Sequence, residues 1–326
     1  MAPPPATPLT LPSIEAVEQG LRSAGYIPSR QIATAVYLAH HLQKPMLVEG
    51  PAGVGKTELA RSVSTWLDLP LIRMQCYEGL DEAKALYEWK YGKQLLYTQI
   101  LKDKIGSVIG DADGLVEALN KLHEFGDIFF SESFLEPRPL LRALQQPGGA
   151  VLLIDEVDKS DQEFEAFLLE ILSDHQVTIP EIGTVHAVVP PIVLLTSNAT
   201  RALGDAMKRR CLHLHIGFPD AKLEERIVAA RIPGISDSLR RQLVSFVQQL
   251  RGLDLRKLPS VSETIDWARA LLLLNATRLE PAVVHETLNV LMKFEADMQL
   301  AAKSVGAFSE QARREVLALE PVHHQR

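Results

Sequence analysis

Eight consecutive residues, Gly50 to Thr57, have the types and spacing that surround a phosphate chain. They match the pattern G-x-x-x-x-G-K-S/T in full. Its glycines let backbone N–H groups turn inward around phosphate oxygens, where side chains would collide. We expect Lys56 to bridge the β- and γ-phosphates and the Thr57 hydroxyl to bind Mg²⁺. The candidate nucleotide-binding residues are Gly50, Pro51, Ala52, Gly53, Val54, Gly55, Lys56, Thr57 and Glu58.

Two adjacent carboxylates, Asp155 and Glu156, follow the apolar run Val151–Ile154. Such a run is typical of a buried strand, whose carboxyl end lies where parallel sheets bind ligands. We expect Asp155 to hold Mg²⁺ through water and Glu156 to polarise the attacking water as general base. The alternative is a pair of acidic residues that begins a turn, together with Asp158 and Ser160.

A second apolar run, Ile192–Leu195, ends in the polar residues Thr196, Ser197 and Asn198. If this strand lies beside the one that ends at Asp155, Asn198 or Thr196 reaches the attacking water and the γ-phosphate. Asn198 is the first choice for this sensor. The alternative is an Asn in an ordinary turn, which is a common arrangement.

A basic cluster, Lys208, Arg209 and Arg210, stands just before another apolar run. It could contact nucleic acid, favour the negative end of a helix, or supply arginine fingers to a neighbouring subunit. A finger neutralises charge that develops on the transferred phosphoryl group. The position after the sensor strand favours fingers, with Arg210 the first choice and Arg209 the second. Because a finger acts in trans, this interpretation predicts an oligomer.

Short apolar runs alternate with helical patterns in the first two thirds of the chain, which predicts a parallel sheet covered by helices on both faces. The predicted strands are 45–49, 71–74, 150–154, 192–196 and 212–216. The predicted helices between and before them include 14–23, 29–42, 57–67, 115–122 and 161–172.

The pattern changes after Pro219, because only helical periodicity follows. The predicted helices there are 223–231, 238–251, 262–274, 282–296 and one near 310–319. The fold class is therefore an α/β P-loop NTPase αβα sandwich followed by a small all-helical lid. The predicted domains are a flexible Pro-rich tail (1–12), the nucleotide-binding domain (13–219) and the lid (220–326).

Composition argues against several classes of protein. A formal net charge of −7 argues against a protein that mainly coats nucleic acid. Two cysteines that are far apart in the sequence make a disulfide framework improbable and fit a reducing cytoplasm. No apolar run approaches the roughly 20 residues that span a bilayer. We expect a soluble cytoplasmic protein that does not associate with a membrane.

With these residues in order, the chain resembles the AAA+ ATPases, with Gly50–Thr57 as Walker A and Asp155-Glu156 as Walker B. It looks most like the MoxR family, in its CoxD-like branch accessory to carbon monoxide dehydrogenase. The markers are Gly50–Thr57, Gln75–Trp89 and Ser260–Arg269. The resemblance implies ATP hydrolysis at the subunit interfaces of a six-membered ring that remodels a client protein. It also implies help with metal-cofactor insertion into an oxidoreductase, and a partner with a von Willebrand factor A domain.

Two segments resemble client-contacting elements of that branch. Val177–Val185 alternates apolar and polar residues around a glycine turn, which predicts a hairpin. Glu78–Trp89 resembles the insertion that the family carries in its second helix. The side chains of Tyr87 and Trp89 either contact a client or pack in the core.

The chain departs from the family in the lid. Many MoxR relatives carry an arginine, sensor 2, where this chain has Thr264, and Arg269 is the nearest replacement. Tyr26 and Ile27 lie where the family's N-terminal strap approaches the adenine. Two rival functions stay open: a nucleic-acid-remodelling motor, and a nucleotide-gated scaffold with little turnover.

Overall fold

A computed structural model describes residues 11–110, 130–180 and 182–319. These residues form two compact units. The sheet unit contains the described residues within Met1–Gly20, Arg30–Val48 and Ala60–Leu214. The helical unit contains Leu21–Ser29, Glu49–Leu59 and the described residues within His215–Arg326. The predicted domain boundary at 219/220 stays a prediction.

A five-stranded parallel sheet forms the centre of the fold, in the order β2-β5-β8-β1-β9. The strands of the described residues are β1 (Met46–Glu49), β2 (Leu71–Gln75), β3 (Tyr87–Trp89), β4 (Leu135–Pro137), β5 (Val151–Asp155), β6 (Gln176–Ile179), β7 (Gly183–His186), β8 (Ile192–Ser197) and β9 (Leu212–His215). All five predicted strands are confirmed, and each predicted end lies within one residue of the observed end. Every residue of β5 is buried, as expected for a strand covered on both faces.

Helices flank this sheet and make up the C-terminal region. The α-helices of the described residues are α1 (Ile14–Ser23), α2 (Arg30–His41), α3 (Lys56–Leu67), α4 (Glu82–Leu86), α5 (Tyr91–Gly110), α6 (Pro139–Leu144), α7 (Gln162–Asp174), α8 (Asp205–Arg210), α9 (Ala221–Arg231), α10 (Asp237–Leu250), α11 (Val261–Leu273), α12 (Pro281–Leu291) and α13 (Glu295–Leu319). The predicted helix at 115–122 and most of the predicted tail lie outside the described residues. No helix of the described residues is long and apolar enough to cross a membrane.

The core of the helical unit is built around two fully buried rings, Phe246 of α10 and Trp267 of α11, whose centroids are 5.3 Å apart. The Trp267 indole N–H donates to the Thr287 hydroxyl of α12 at 2.8 Å, so its polar atom is satisfied inside the core.

The predicted single helix at 282–296 is wrong, because the chain breaks between α12 and α13. Met292 has an extended backbone, and its buried side chain packs in the helical unit's core. Phe294 lies under the Arg256 guanidinium, 4.2 Å from the ring centroid. These non-local contacts interrupt a pattern that is helical in sequence. The helix predicted near 310–319 is the last part of α13.

Two small antiparallel pairs accompany the main sheet. The predicted hairpin is confirmed as β6 and β7, in which Ile179 pairs with Gly183, although Glu181 lies outside the described residues. Strands β3 and β4 form the second pair. Trp89 is buried and its ring lies 5.6 Å from that of Tyr87, so packing in the core accounts for Trp89.

Candidate active site

Backbone conformation shapes the phosphate loop. Gly50, Gly53 and Gly55 have φ values of 150°, 73° and 100°, which L side chains rarely adopt. The loop bends around its own lysine, because the Lys56 ammonium donates to the Gly50 carbonyl at 2.6 Å and to the Pro51 carbonyl at 2.8 Å. Lys56 is 7% exposed. The buried ammonium is thus satisfied by carbonyl oxygens of the loop that it is predicted to serve.

The start of α11 contacts the same loop within the helical unit. The Ser262 amide donates to the Gly53 carbonyl at 3.3 Å, and the Ser262 hydroxyl does so at 3.4 Å. A Cβ atom on Gly53 would lie 2.4 Å from the Ser260 hydroxyl oxygen. Ser260 caps α11 through a capping box with Glu263. A glycine is therefore required at position 53 by φ and by the close approach of Ser260.

Two further residues border the loop. Glu58, a predicted nucleotide contact, forms an ion pair with Arg231 of α9. Tyr26 lies beside Gly55, since a Cβ atom there would be 3.7 Å from the Tyr26 ring. Burial, and then the charge of Glu58, raises the pKa of the Tyr26 hydroxyl above its ordinary value. The proposed adenine contact of Tyr26 and Ile27 stays a prediction.

Asp155 ends β5 with both carboxylate oxygens hydrogen-bonded. Oδ1 accepts from the Thr196 hydroxyl of β8, and Oδ2 accepts from Nε and Nη2 of Arg73 at 3.1 and 2.5 Å. The Arg73 guanidinium comes from the neighbouring strand β2. Asp155 is buried, so these partners offset the cost of removing its charge from water.

Glu156 follows in the left-handed conformation, with φ 56° and ψ 49°. Its amide donates to the Thr196 hydroxyl at 2.9 Å. Its carboxylate accepts from Gln75 Nε2 at 2.7 Å and Asn198 Nδ2 at 3.4 Å, and pairs with the Lys159 ammonium at 2.6 Å. The hydrogen bond to Glu156, and then its charge, raises the pKa of Lys159 above its ordinary value. The predicted general base and the predicted sensor Asn198 are therefore brought together.

Asp158 joins this cluster to the loop after β8. Its carboxylate accepts from the Asn198 amide at 3.2 Å, the Thr200 amide at 3.0 Å and the Thr200 hydroxyl at 2.6 Å. Burial favours the neutral acid, but the bonds from Thr200 and Asn198 favour the carboxylate more strongly, so the pKa of Asp158 lies below its ordinary value. Asp158 is ionised at neutral pH.

The two predicted finger residues lie at the end of α8 and are exposed. Arg210 Nε donates to the Ser173 hydroxyl at 2.5 Å, and its Nη1 donates to the Ala206 carbonyl at 3.2 Å. Arg209 and Lys208 complete the basic last turn of α8, where cations are favoured by the helix dipole. Both finger assignments stay predictions.

Thr264, the residue at the predicted sensor 2 position, is fully buried in the helical unit. Its hydroxyl donates to Glu224 at 2.8 Å, and Glu224 forms a bidentate pair with Arg251 at 2.7 Å for both contacts. Arg269 is exposed and pairs with Asp266 of the same helix. Thr264 therefore belongs to a buried structural network of the helical unit.

Sequence reasoning missed Arg73, Gln75 and Lys159 as partners of the two carboxylates. The signal for the first two is the alternation along β2, where Arg73 and Gln75 are exposed and Ile72 and Met74 are buried. A period of two places the exposed pair on one face of the strand.

The oxygen donors of the predicted metal ligands fit Mg²⁺. Among the described residues no group of three or more His, Cys, Asp and Glu side chains could hold a metal ion. Mg²⁺ does not need such a group, since it usually takes one or two carboxylates, phosphate oxygens and several waters. Asp155 uses both oxygens in hydrogen bonds, which fits contact through a water molecule.

Several known proteins are similar to this chain in sequence. Residues 45–211, just over half of the chain, match the family described as AAA domain (dynein-related subfamily). The chain is 24% identical over 227 residues to the denitrification regulatory protein NirQ of Pseudomonas aeruginosa, covering 68% of this chain and 72% of NirQ. It is 26% identical over 237 residues to an uncharacterized Staphylococcus aureus protein, covering 71% and 76%.

Solved structures give a weaker likeness. A RuvB mutant of Thermotoga maritima is 16% identical with a TM-score of 0.45, covering 87% of this chain and 74% of that chain. A structure described as the Thermotoga maritima RuvB Holliday junction branch migration motor is 15% identical with a TM-score of 0.44, covering 93% and 82%.

Proposed function

The chain belongs to the AAA domain family, dynein-related subfamily, and we propose that it binds ATP with Mg²⁺ and hydrolyses ATP. The observation that carries the proposal is the hydrogen-bonded set of Asp155, Glu156, Thr196 and Asn198 in a chain that also has a complete phosphate loop. A protein that only binds nucleotide needs the loop but has no need of a water-polarising carboxylate.

In this proposal the residues Gly50–Glu58 bind the nucleotide, and Lys56 exchanges its contacts with loop carbonyls for contacts with the β- and γ-phosphates. Thr57 and Asp155 would hold Mg²⁺. When bound, Mg²⁺ neutralises negative charge on the phosphates. Because ammonium–phosphate hydrogen bonds are charge-assisted at both ends, the exchange at Lys56 favours the nucleotide-bound loop.

Glu156 is the proposed general base, and Asn198 orients it and senses the γ-phosphate. In the observed arrangement Glu156 is paired with Lys159 and hydrogen-bonded to Gln75. An exposed ion pair of this kind contributes roughly 0–1 kcal/mol, so exchanging Lys159 for a water contact costs little. The carboxylate can then accept a proton from the attacking water.

We also propose that the chain assembles into a ring, with six subunits as the resemblance implies, in which Arg210 or Arg209 reaches the neighbouring subunit's phosphates. Their exposure at the end of α8 leaves the guanidinium groups accessible to a neighbour. The proposed role is that of a MoxR-type, CoxD-like maturation chaperone for a protein client, with a von Willebrand factor A-domain partner. The similarity to NirQ, which is named a denitrification regulatory protein, supports a regulatory role.

The test measures phosphate release and oligomer mass together. Purified protein is incubated with ATP and Mg²⁺, with ATP and EDTA, and with ADP and Mg²⁺, and each sample is sized by light scattering. We expect Mg²⁺-dependent turnover and a larger species with ATP. Assembly without phosphate release would favour the scaffold function. Turnover that rises only when DNA or RNA is added would favour the nucleic-acid motor.

A further inference from the structure

Residues 198–204 connect β8 to α8 and form what we call the sensor loop. One end begins with Asn198, the proposed sensor, and the other end is Gly204, the N-cap residue of α8. Arg209 and Arg210, the proposed fingers, are on that helix. The loop therefore joins the residue that serves one subunit's site to the residues that serve its neighbour's site.

Asp158 holds the Asn198 end. It is 4% exposed, and its carboxylate accepts two backbone amides, those of Asn198 and Thr200, and the Thr200 hydroxyl. It stands two residues after Glu156. Both hydrogen bonds are partly buried, so without Asp158 each amide would depend on water for a partner. The Asp158 carboxylate thus fixes the backbone that carries Asn198 relative to the turn that carries Glu156.

Glu165, on α7, holds the Gly204 end. It is 5% exposed, and its Oε2 accepts the Gly204 amide at 2.9 Å. It also pairs with Arg201 in the middle of the loop. Arg201 in turn donates to the Ser160 carbonyl at 2.6 Å. A Cβ atom on Gly204 would lie 3.1 Å from Glu165 Oε2, so this approach is close.

Two buried carboxylates beneath a surface loop are energetically unfavourable unless the loop supplies hydrogen bonds to them. Burying an ionised carboxylate is unfavourable unless hydrogen bonds and charges offset it. Here both carboxylates direct their bonds to backbone amides of the same seven-residue segment. Loops are ordinarily more mobile than the elements they connect. These bonds therefore limit the conformations of the sensor loop at both of its ends.

We propose that Asp158 and Glu165 are positioning residues that hold opposite ends of the sensor loop, Asp158 setting the place of Asn198 beside Glu156 and Glu165 setting the start of the helix that carries Arg209 and Arg210. The inference rests on the proposed ATPase function. It assigns each carboxylate to a different partner, which makes the two roles separable.

Double-mutant cycles test the assignment by combining each carboxylate variant with changes at Asn198 or at Arg209 and Arg210. The measured quantity is kcat for ATP hydrolysis. Asp158→Asn and Glu165→Gln are matched changes that keep side-chain size. We expect each to lower kcat by about 10- to 100-fold, since misplacement of about 1 Å costs up to that amount, with the KM for ATP changed less than three-fold. The Asp158→Asn loss should vanish in an Asn198→Ala background and persist when Arg209 and Arg210 are both changed to Ala. The fall in kcat caused by Glu165→Gln should persist in an Asn198→Ala background and vanish when Arg209 and Arg210 are both changed to Ala. If each variant lowers kcat as much in both backgrounds as it does in the wild type, the proposal is overturned.

Hydrogen exchange of the full chain provides a readout that does not depend on turnover. Asp158→Asn should speed exchange of the Asn198 and Thr200 amides, and Glu165→Gln should speed exchange of the Gly204 amide. Unchanged exchange at both ends would overturn the proposal even in an active enzyme. If the wild type releases no phosphate in any condition, the ATPase function fails, while the exchange rates still decide whether the two carboxylates hold the loop. Circular dichroism confirms that each variant is folded.

Discussion

Different interactions hold the two halves of the candidate site in place. These halves are the phosphate-loop region, Gly50–Glu58, and the carboxylate cluster, Asp155 to Asp158 with its partners. Backbone conformation shapes the first: three glycines with positive φ and a lysine bonded to its own loop's carbonyls. Side chains from separate strands shape the second: Arg73 and Gln75 on β2, and Thr196 on β8. The difference teaches that the loop takes its shape from its own residues, with only the start of α11 approaching it from afar, whereas the cluster depends on the pairing of strands.

Among the changes that test this contrast between the two regions, the largest effect is expected from Lys56→Ala in the loop. Loss of a buried charged donor to phosphate costs about 2–5 kcal/mol, equivalent to roughly 30- to 4,000-fold in Kd. We expect the Kd for ATP, measured by fluorescence with a labelled analogue and Mg²⁺, to rise within this range. Lys44→Ala, at an exposed position, is the control and should bind ATP as the wild type does. Unchanged affinity in Lys56→Ala would remove the loop from the site.

The backbone account of the loop is tested by Gly53→Ala against Gly25→Ala. Both glycines belong to the helical unit and have similar φ, 73° and 80°, but a Cβ atom would meet Ser260 at position 53 and nothing within 4 Å at position 25. Strain from left-handed φ costs about 1–2 kcal/mol at either position, and overpacking adds about 1–3 kcal/mol at Gly53 alone. Urea denaturation measures both. Equal losses would show that the Ser260 contact relaxes freely.

The side-chain account of the cluster is tested by Thr196→Val. The Thr196 hydroxyl donates to Asp155 and accepts from the Glu156 amide, so its removal leaves a buried carboxylate and a partly buried amide short of a partner. We expect the free energy of unfolding to fall by about 1.5–3 kcal/mol. Ser262→Ala removes a more exposed hydroxyl that contacts the loop, and should change stability by no more than about 0.5 kcal/mol. If both variants lose similar free energy of unfolding, side-chain contacts matter equally in the two regions and the proposed difference between them is wrong.

The smallest effect is a pH dependence of stability that Asp158 contributes to the cluster. The folded-state pKa of Asp158 lies below its ordinary value, so the folded protein binds fewer protons in acid than the unfolded chain does. The stability that Asp158 contributes is therefore present above its unfolded pKa and is lost as pH falls through its folded pKa. We expect Asp158→Asn to be less stable than wild type at pH 7, and the gap to narrow as pH falls below about 4. Urea denaturation from pH 3 to pH 7 measures the gap, and a constant gap would contradict the ionised state.

The sequence predicts the loop and the strands well because each depends on contiguous residues. Gly50–Thr57 is a complete pattern, and the five strands are short apolar runs with clear ends. The partners of the carboxylates are not readable in this way, since Arg73 and Asp155 are 82 residues apart. Strand order decides which polar side chains meet, and no local pattern encodes it.

The helical unit also contains contacts that the sequence does not reveal. The departure at Thr264 is visible in the sequence, but the partners of its hydroxyl are not, because Glu224 lies on α9 and Arg251 follows the end of α10. Likewise the helical pattern across 282–296 continues through the break that the packing of Met292 produces. At Met292 tertiary contacts override local helix propensity.

The central claim, that Glu156 is the general base of an ATPase, is tested most directly by Glu156→Gln. Steady-state phosphate release and ATP affinity are measured for this variant and for the wild type, each sized in ATP. The substitution keeps the side chain's size but removes the proton acceptor, so we predict a fall in turnover of about 10²- to 10⁴-fold with unchanged ATP affinity and unchanged assembly. Equal turnover in the two proteins would contradict the account, since the carboxylate beside Asn198 would then not be the base.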